Sequence, residues 1–111
     1  MTEVILAKYK VKVNKKHIWV NWCNELKKRK DEVLETLRAE KVYSESCFIS
    51  QDGETVYIFM EASDIKIAQE IGKNSKFSID ESHKQTRLLS LEFVEVLTEL
   101  FHFETIHELP Q

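Results

Sequence analysis

Two strand-like runs joined by Asp52-Gly53 constrain the fold of this chain more than any other segment. A two-residue hairpin loop of type I′ requires positive φ at both central positions, which aspartate tolerates and glycine adopts freely. The residues from 42 to 62 therefore predict a β-hairpin whose pairing runs outward from Gln51 and Glu54. This register decides which face of the sheet each side chain occupies.

The predicted register gives the hairpin two unlike faces. The pairs on one face are Ile49 with Val56, Cys47 with Ile58, Glu45 with Met60 and Tyr43 with Ala62. That face is apolar except for Glu45, and Cys47 is expected to be a small buried apolar residue on it. The other face carries Ser44, Ser46, Phe48 and Ser50 against Thr55, Tyr57, Phe59 and Glu61. A face so rich in aromatic residues predicts an interface.

Length and composition predict one domain over residues 1–111 with a single modest core. Charged residues make up 32% and hydrophobic ones 42%, which is ordinary for a soluble globular protein. Cys23 and Cys47 have neither metal-site nor disulfide-framework spacing, so a reducing cytoplasm is expected. No apolar run approaches the roughly 20 residues that span a bilayer, and no signal-peptide pattern is present. We therefore expect no membrane partner.

Positive charge is concentrated in residues 1–30. Nine Lys and Arg against two Glu give this part +7, so the net charge of -3 leaves -10 for the remainder. Two interpretations stay open, namely solvated faces paired with acidic neighbours or a patch for an anionic ligand. Aromatic residues do not alternate with these lysines as they do on platforms for single strands, so no nucleic-acid partner is expected.

Apolar periodicity predicts the remaining elements. The first is a strand from Thr2 to Val13 with its odd positions facing the core. A helix from Lys15 to Glu40, capped by Asn14 and interrupted at 27–30, precedes the hairpin. After the hairpin come a helix from Asp64 to about Ile71 capped by Ser63, a helix from Ile79 to about Leu91 with a capping box from Ser78 to Glu81, and a strand from about Phe93 to Phe103. The tail through Pro110 is expected to fray, although Ile106 and Leu109 could dock on a neighbouring element.

This order of elements predicts an α+β, ferredoxin-like βαββαβ fold with a four-stranded antiparallel sheet of strand order 4-1-3-2. Helices cover only one face of such a sheet. The other face, bearing Phe48, Tyr57 and Phe59, would stay exposed in a monomer. We therefore expect a homodimer in which two sheets pack face to face.

Several segments resemble an uncharacterised bacterial family, a domain of unknown function, within the dimeric α+β barrel superfamily. They are Leu26, the run from Lys30 to Leu37, the run from Glu40 to Phe48, Ser75, and Ile79-Asp80-Glu81-Ser82-His83. The resemblance covers nearly the whole chain. It implies a homodimer with a small-molecule cleft between sheet and helices, but no established activity comes with it.

Glu45 is the most unusual residue of the hairpin, because the register places its carboxylate on the helix-covered face beside Met60. Desolvation there can raise a pKa by up to about 3 to 5 units, which suits a general acid or base near neutrality. The alternative is that Glu45 reaches solvent at the beginning of its strand or caps a helix amide. Glu45 is the first candidate catalytic residue, and Met60 is a candidate ligand contact.

Two histidines are further candidates. Asp80 lies one helical turn before His83, and such a pair can orient an imidazole for proton transfer, although the same spacing also merely stabilises a first helical turn. His102 is expected at the same end of the sheet as Glu45. Roughly 14 Å of sheet separates their strands at about 4.8 Å per step, so a ligand could contact both while a direct hydrogen bond is not expected.

Tyr9 and Trp22 are predicted to lie between the sheet and the first helix. Core packing explains both, but in an open cleft they would stack on a flat ligand. The chain has no Gly-rich phosphate loop, no GxSxG and no HExxH, so neither a cofactor nor a metal site is expected.

Two functions stay open at this point. The first is a small-molecule-binding protein or cofactor-independent enzyme of the dimeric barrel type, with Glu45 or His83 transferring a proton. The second is a non-catalytic module whose dimer surface or charged face binds another protein. A polar-tipped pocket beside Glu45 and His83 would favour the first, and a fully packed interior would favour the second.

Overall fold

The computed structural model describes residues 2–105, which form a four-stranded antiparallel sheet and four helices. The elements are β1 (Glu3–Val11), α1 (Lys16–Lys28), α2 (Lys30–Ala39), β2 (Val42–Ile49), β3 (Thr55–Ala62), α3 (Ile65–Lys73), α4 (Ser78–Ser90) and β4 (Leu91–Val96). The strand order is β2-β3-β1-β4. This confirms the predicted ferredoxin-like α+β fold with order 4-1-3-2. No helix in residues 2–105 is long and apolar enough to cross a membrane.

The hairpin register is as predicted over most of its length, but the turn is of another type. Ile49 pairs with Val56 and Glu45 with Met60. Only Gly53 has a positive φ in the turn, at 75°, and its N–H donates to the Ser50 carbonyl at 2.9 Å. The predicted type I′ turn is therefore wrong. The Asp52 carboxylate accepts hydrogen bonds from Ser50 Oγ at 2.6 Å and from the backbone N–H of Glu54 at 2.9 Å, which stabilises this longer loop.

A β-bulge near the beginning of β2 changes the face on which Tyr43 lies. Val42 pairs with Ala62, and the register shifts before Ser44. As a result Val42 is only 6% exposed while Tyr43 is 61% exposed, with its hydroxyl hydrogen-bonded to Ser63 Oγ. The predicted pairing of Tyr43 with Ala62 is wrong, because the extra residue moves the smaller apolar side chain into the core.

The long predicted helix is divided into α1 and α2 at Arg29, within the interruption expected at 27–30. Arg29 has φ -107° and ψ 37°, and its N–H still donates to two carbonyls of the last turn of α1 at 3.1 Å. The chain therefore bends with little loss of hydrogen bonding. Asn14 does not cap α1 as predicted, since it adopts a φ of 62° and the helix begins after Lys15 without a side-chain cap.

Two other predicted caps also differ in the structure. Asp64 caps α3 in place of Ser63, because its carboxylate accepts from the N–H of Ile67 at 3.0 Å. The capping box predicted at Ser78 is wrong as well, since Ser78 already lies inside α4 and Phe77 is the N-cap, without a side-chain hydrogen bond. These helices nevertheless begin within one residue of the predicted positions.

Strands β1 and β4 end earlier in the chain than predicted. β1 ends at Val11 and β4 at Val96, although the N–H of Leu97 still donates to the carbonyl of Leu6 at 2.9 Å. The segment after β4 therefore continues beside β1 without regular pairing. The predicted docking of Ile106 and Leu109 concerns residues outside the described part of the chain.

The core lies between the sheet and the helices in two clusters. One contains Trp19, Val56 and Leu91 with Tyr9 and Trp22 packed against it, and the other contains Val42, Ala62 and Ala68 with Met60 beside it. Complete burial of a large apolar side chain contributes roughly 1.5 to 3 kcal/mol. Trp19 of the first cluster also lines a cleft between the helices and the edge strand.

The other face of the hairpin carries the aromatic residues expected there. Phe48 is 59% exposed, and Tyr57 and Phe59 are half-buried. Phe48 alternates with Cys47 and Ile49, so it points away from the side that the helices cover. A monomer therefore presents an aromatic sheet face to solvent.

Candidate functional site

A cleft of about 640 Å³ opens between α1, α2 and β2. Most of its lining is apolar or aromatic: Trp19, Val20, Leu26, Val33, Leu37, Ile49 and Ile58. Its polar groups come from four elements: Cys23, Asn24 and Lys27 of α1, Lys30 of α2, Glu45 and Cys47 of β2, and His83 of α4. Small-molecule sites occupy about 300 to 1,000 Å³ and have a few polar groups in an apolar wall, so this cleft has the size and character of one.

Strand alternation brings Glu45 into this cleft. Its backbone pairs with Met60, so its side chain lies on the helix-covered side of an edge strand. Helices cover this edge incompletely, and Glu45 is exposed to the opening. The two ion pairs of residues 2–105 join Arg29 to Glu32 and His102 to Glu104, so Glu45 has no ion-pair partner there.

The surroundings of Glu45 raise its pKa from 4.5 to about 7. Desolvation by the surrounding protein is the largest cause, repulsion from Glu40 follows, Arg87 opposes the shift and Asp80 adds to it. Glu45 keeps accessible surface and lines the cleft, and the protein around it desolvates its carboxylate. Glu45 therefore exchanges its proton near neutral pH and is open to a ligand.

Trp22 fixes the hydrogen position of His83. The indole Nε1–H of Trp22 donates to His83 Nδ1 at 2.9 Å. Because an indole N–H can only donate, Nδ1 must accept, and the neutral imidazole carries its hydrogen on Nε2. The His83 ring also lies against the ring of Trp19, with 5.6 Å between the ring centroids.

The same aromatic surroundings keep His83 uncharged. Desolvation lowers its pKa from 6.5 to about 4, repulsion from Arg87 lowers it further, and Asp80 opposes the shift. At neutral pH the ring is therefore a neutral hydrogen-bond donor through Nε2. Glu45 and His83 thus give one cleft a proton acceptor and a hydrogen-bond donor.

Asp80 forms a separate polar cluster behind the cleft. Its carboxylate accepts hydrogen bonds from the hydroxyls of Thr36 and Ser75, and Thr36 Oγ1 also lies 3.1 Å from Glu40 Oε1. One hydroxyl proton can serve only one of the two carboxylates at a time. Burial and the charge of Asp80 raise the pKa of Glu40, and its Thr36 hydrogen bond opposes this. The orienting role predicted for Asp80 toward His83 is filled by Trp22.

Two thiols face each other across the cleft. Each thiol shifts the pKa of the other: Cys23 lowers that of Cys47, and Cys47 together with burial raises that of Cys23. The indole N–H of Trp19 is buried without a hydrogen-bond partner, and its proximity further lowers the pKa of Cys47. Cys47 is exposed, so the prediction that it is a buried apolar residue is wrong: the helices leave this part of the edge strand open.

The remaining predicted ligand contacts do not line the cleft. Tyr9 packs edge-on against Phe93 with 5.7 Å between ring centroids, and Met60 belongs to the second core cluster. His102 lies elsewhere, with its Nε2 3.2 Å from Thr2 Oγ1. Trp22 reaches the site through its hydrogen bond to His83.

Sequence reasoning missed several cleft residues. The rim lysines Lys27 and Lys30 belong to the point at which the apolar helical stripe is interrupted, and Cys23 lies one helical turn before it. That interruption was the available signal, because a helix that leaves the sheet exposes the strand beneath it. The partnership of the two cysteines had no comparable signal.

Comparison with known proteins identifies the family. The sequence profile of DUF6176, a family of unknown function, matches residues 2–104. The chain belongs to this family. The resemblance inferred from the sequence is thereby confirmed, and no curated protein matches the chain.

Two crystal structures resemble this DUF6176 member. One is a protein of Bacteroides thetaiotaomicron assigned as an antibiotic biosynthesis monooxygenase, with a TM-score of 0.61, 14% identity and 90% of each chain covered. The other is a protein of Shewanella oneidensis with a TM-score of 0.57, 18% identity and 86% of each chain covered. At these identities the likeness shows the fold alone.

The substitution Glu45→Gln is expected to stabilise the protein at about pH 8 and to have little effect at about pH 4. The folded-state pKa of about 7 exceeds the ordinary 4.5, so the stability that protonation provides is fully present below 4.5 and is lost as the pH rises through 7. Glutamine removes that loss, because it stays neutral.

Urea unfolding at the two pH values measures this effect. The control is Glu35→Gln, which changes an exposed carboxylate of α2 and should not reproduce the pH-dependent gain. A Glu45→Gln effect of equal size at both pH values would contradict the raised pKa.

Proposed function

We propose that this protein binds a small carbonyl compound in the cleft and transfers one of its protons through Glu45 without a cofactor. The observation that carries the proposal is a carboxylate with a pKa of about 7 and a neutral imidazole donor lining one mostly apolar cleft. Such a pair is suited to enolisation. A carboxylate base with a neutral imidazole as electrophile is an established arrangement for this chemistry.

The proposed reaction needs only the groups in the cleft. Glu45 takes a proton from the carbon next to the substrate carbonyl, so the C–H bond breaks and its electron pair moves toward the carbonyl oxygen. The Nε2–H of His83 donates a hydrogen bond to this developing oxyanion. Glu45 then returns a proton to the same carbon as the carbonyl bond reforms, which exchanges this hydrogen with solvent through the Glu45 carboxyl group.

The raised pKa of Glu45 is the reason for assigning it as the base. A carboxylate with a pKa of about 7 accepts a proton more readily than one near 4.5 and is still substantially ionised at neutral pH. His83, with a pKa of about 4, stays neutral over the same range. The two groups therefore keep distinct roles.

The cleft lining also favours a class of substrate. Aromatic and aliphatic side chains such as Trp19 and Leu26 suit a flat apolar body, and the exposed amines of Lys27 and Lys30 stand at the rim. A substrate with an anionic group at the end away from its carbonyl would complement that rim. The structural relative assigned as a monooxygenase shares the fold, but its reaction is not transferred at 14% identity.

We further propose that the protein is a homodimer through the sheet face bearing Phe48, Tyr57 and Phe59. The exposure of Phe48 and the absence of helix cover over this face in residues 2–105 support the proposal. The free thiols Cys23 and Cys47 fit a cytoplasmic location.

Size-exclusion chromatography with light scattering should give twice the chain mass for the wild type. Phe48→Glu should shift the protein toward the monomer, because it places a charge in an apolar contact. The control is Leu88→Glu, which changes an equally exposed apolar residue on helix α4. A monomeric wild type at micromolar concentration would refute the dimer.

Proton transfer is tested by hydrogen–deuterium exchange in D₂O with a panel of 2-oxo acids and aromatic ketones bearing a carboxylate. Wild type should accelerate exchange at the carbon next to the carbonyl of at least one compound, with a rate that rises as Glu45 ionises near pH 7. Glu45→Gln should lower the rate by about 100-fold or more, the typical contribution of a general base.

Glu35→Gln is again the matched control, because it removes a carboxylate outside the cleft. Binding is followed independently through the fluorescence of Trp19, which lines the cleft. Exchange that is undiminished in Glu45→Gln would reject Glu45 as the base. A panel that neither binds nor exchanges would reject the carbonyl substrate and favour a non-catalytic module.

A further inference from the structure

A second group of polar side chains lies away from the cleft, where the segment after β4 passes the ends of β1 and β3. It consists of Glu61 in β3 and of His102 and Glu104 in that segment. One oxygen of each carboxylate and one ring nitrogen of His102 all lie within 4.8 Å of one another. The backbone brings together residues that are about forty positions apart in the sequence.

The three groups converge on a single hydroxyl. Thr2 Oγ1 lies 2.8 Å from Glu104 Oε2, 3.0 Å from Glu61 Oε2 and 3.2 Å from His102 Nε2. A hydroxyl has one proton to donate. At least one of the two carboxylate oxygens that face each other there is therefore left without that donor.

Neighbouring groups hold the other carboxylate oxygens. The backbone N–H of Thr2 donates to Glu104 Oε1 at 2.7 Å, and Ser44 Oγ donates to Glu61 Oε1 at 3.2 Å. Each carboxylate is thus held on one oxygen and directs the other toward the common point. Outer hydrogen bonds of this kind orient the ligands of metal sites.

The net negative charge of the three side chains also favours binding of a cation. Two carboxylates face one histidine, and His102 Nε2 is 3.8 Å from Glu104 Oε2, so even a protonated ring leaves the group with a net negative charge. A divalent ion between these three groups would interact with both carboxylates and with the His102 ring. The Thr2 hydroxyl could then become a further oxygen ligand or yield its place to water.

We propose that Glu61, His102 and Glu104 bind a divalent transition-metal ion such as Zn²⁺. One imidazole nitrogen and two carboxylate oxygens suit Zn²⁺, Mn²⁺ or Fe²⁺ better than Ca²⁺, which prefers six to eight oxygen ligands. Bonds of about 2.0 to 2.2 Å require the three ligand atoms to move slightly closer together. The ion would join the segment after β4 to β3.

Calorimetric titration of the full chain with Zn²⁺ tests the site. One ion per chain is expected, and Glu61→Gln and His102→Gln should each weaken binding at least about tenfold. Zn²⁺ should also raise the melting temperature of the wild type, because it binds the folded state. Matched controls are Glu95→Gln and His17→Gln, which change an exposed Glu of β4 and an exposed His of α1.

The thiols of the cleft are the main competing ligands for Zn²⁺, so Cys23→Ser/Cys47→Ser is a necessary comparison. Binding should survive in this variant, and X-ray absorption of the Zn²⁺-bound wild type should show nitrogen and oxygen ligands without sulfur. The latter measurement does not depend on the folding of any variant. Absence of binding, sulfur ligation, or undiminished binding in Glu61→Gln and His102→Gln would overturn the proposal.

Discussion

The pairing of β2 with β3 determines where every polar group of β2 lies. Side chains alternate between the faces of a strand, so the pairing of Glu45 with Met60 directs this carboxylate to the helix side and leaves Phe48 on the other. A slip of one residue would exchange the two sets. The aromatic face and the acidic residue of the cleft are therefore two consequences of one register.

The helices then decide how far the acidic residue is covered. α1 and α2 meet at Arg29 without forming one straight helix, and β2 is an edge strand, so a cleft stays open over Glu45 and Cys47. Trp19 belongs both to the core and to this cleft. Trp19 and the other lining residues form the wall of the cleft, and desolvation by the surrounding protein raises the pKa of Glu45. Such a wall destabilises the ionised carboxylate, which is a common feature of sites arranged for chemistry.

Much of the architecture could be predicted because it depends on patterns repeated over many residues. The alternation of apolar residues and the Asp52-Gly53 turn were enough for the register, and the order of elements was enough for the sheet. Single-residue events were not predictable in this way. The bulge before Ser44 and the choice of Asp64 over Ser63 as a cap depend on small local differences in packing and hydrogen bonding.

The candidate site was predictable only in part for a related reason. Glu45 stood out as one charge within an apolar pattern, whereas the bond between Trp22 and His83 joins two helices far apart in the sequence. No pattern in the neighbouring sequence predicts a contact between two such distant residues. The neutral state of His83 follows from that contact and from burial, so its proposed role became visible only with the fold in place.

The most direct measurement of the central claim is an NMR titration of the Glu45 side-chain carboxyl carbon in protein labelled at glutamate, with Glu45→Gln used to assign the signal. A desolvated carboxylate facing the cleft predicts a midpoint near pH 7. A midpoint near the ordinary 4.5 would show that water solvates Glu45 fully. That result would contradict the proposed base and the account of the cleft on which it rests.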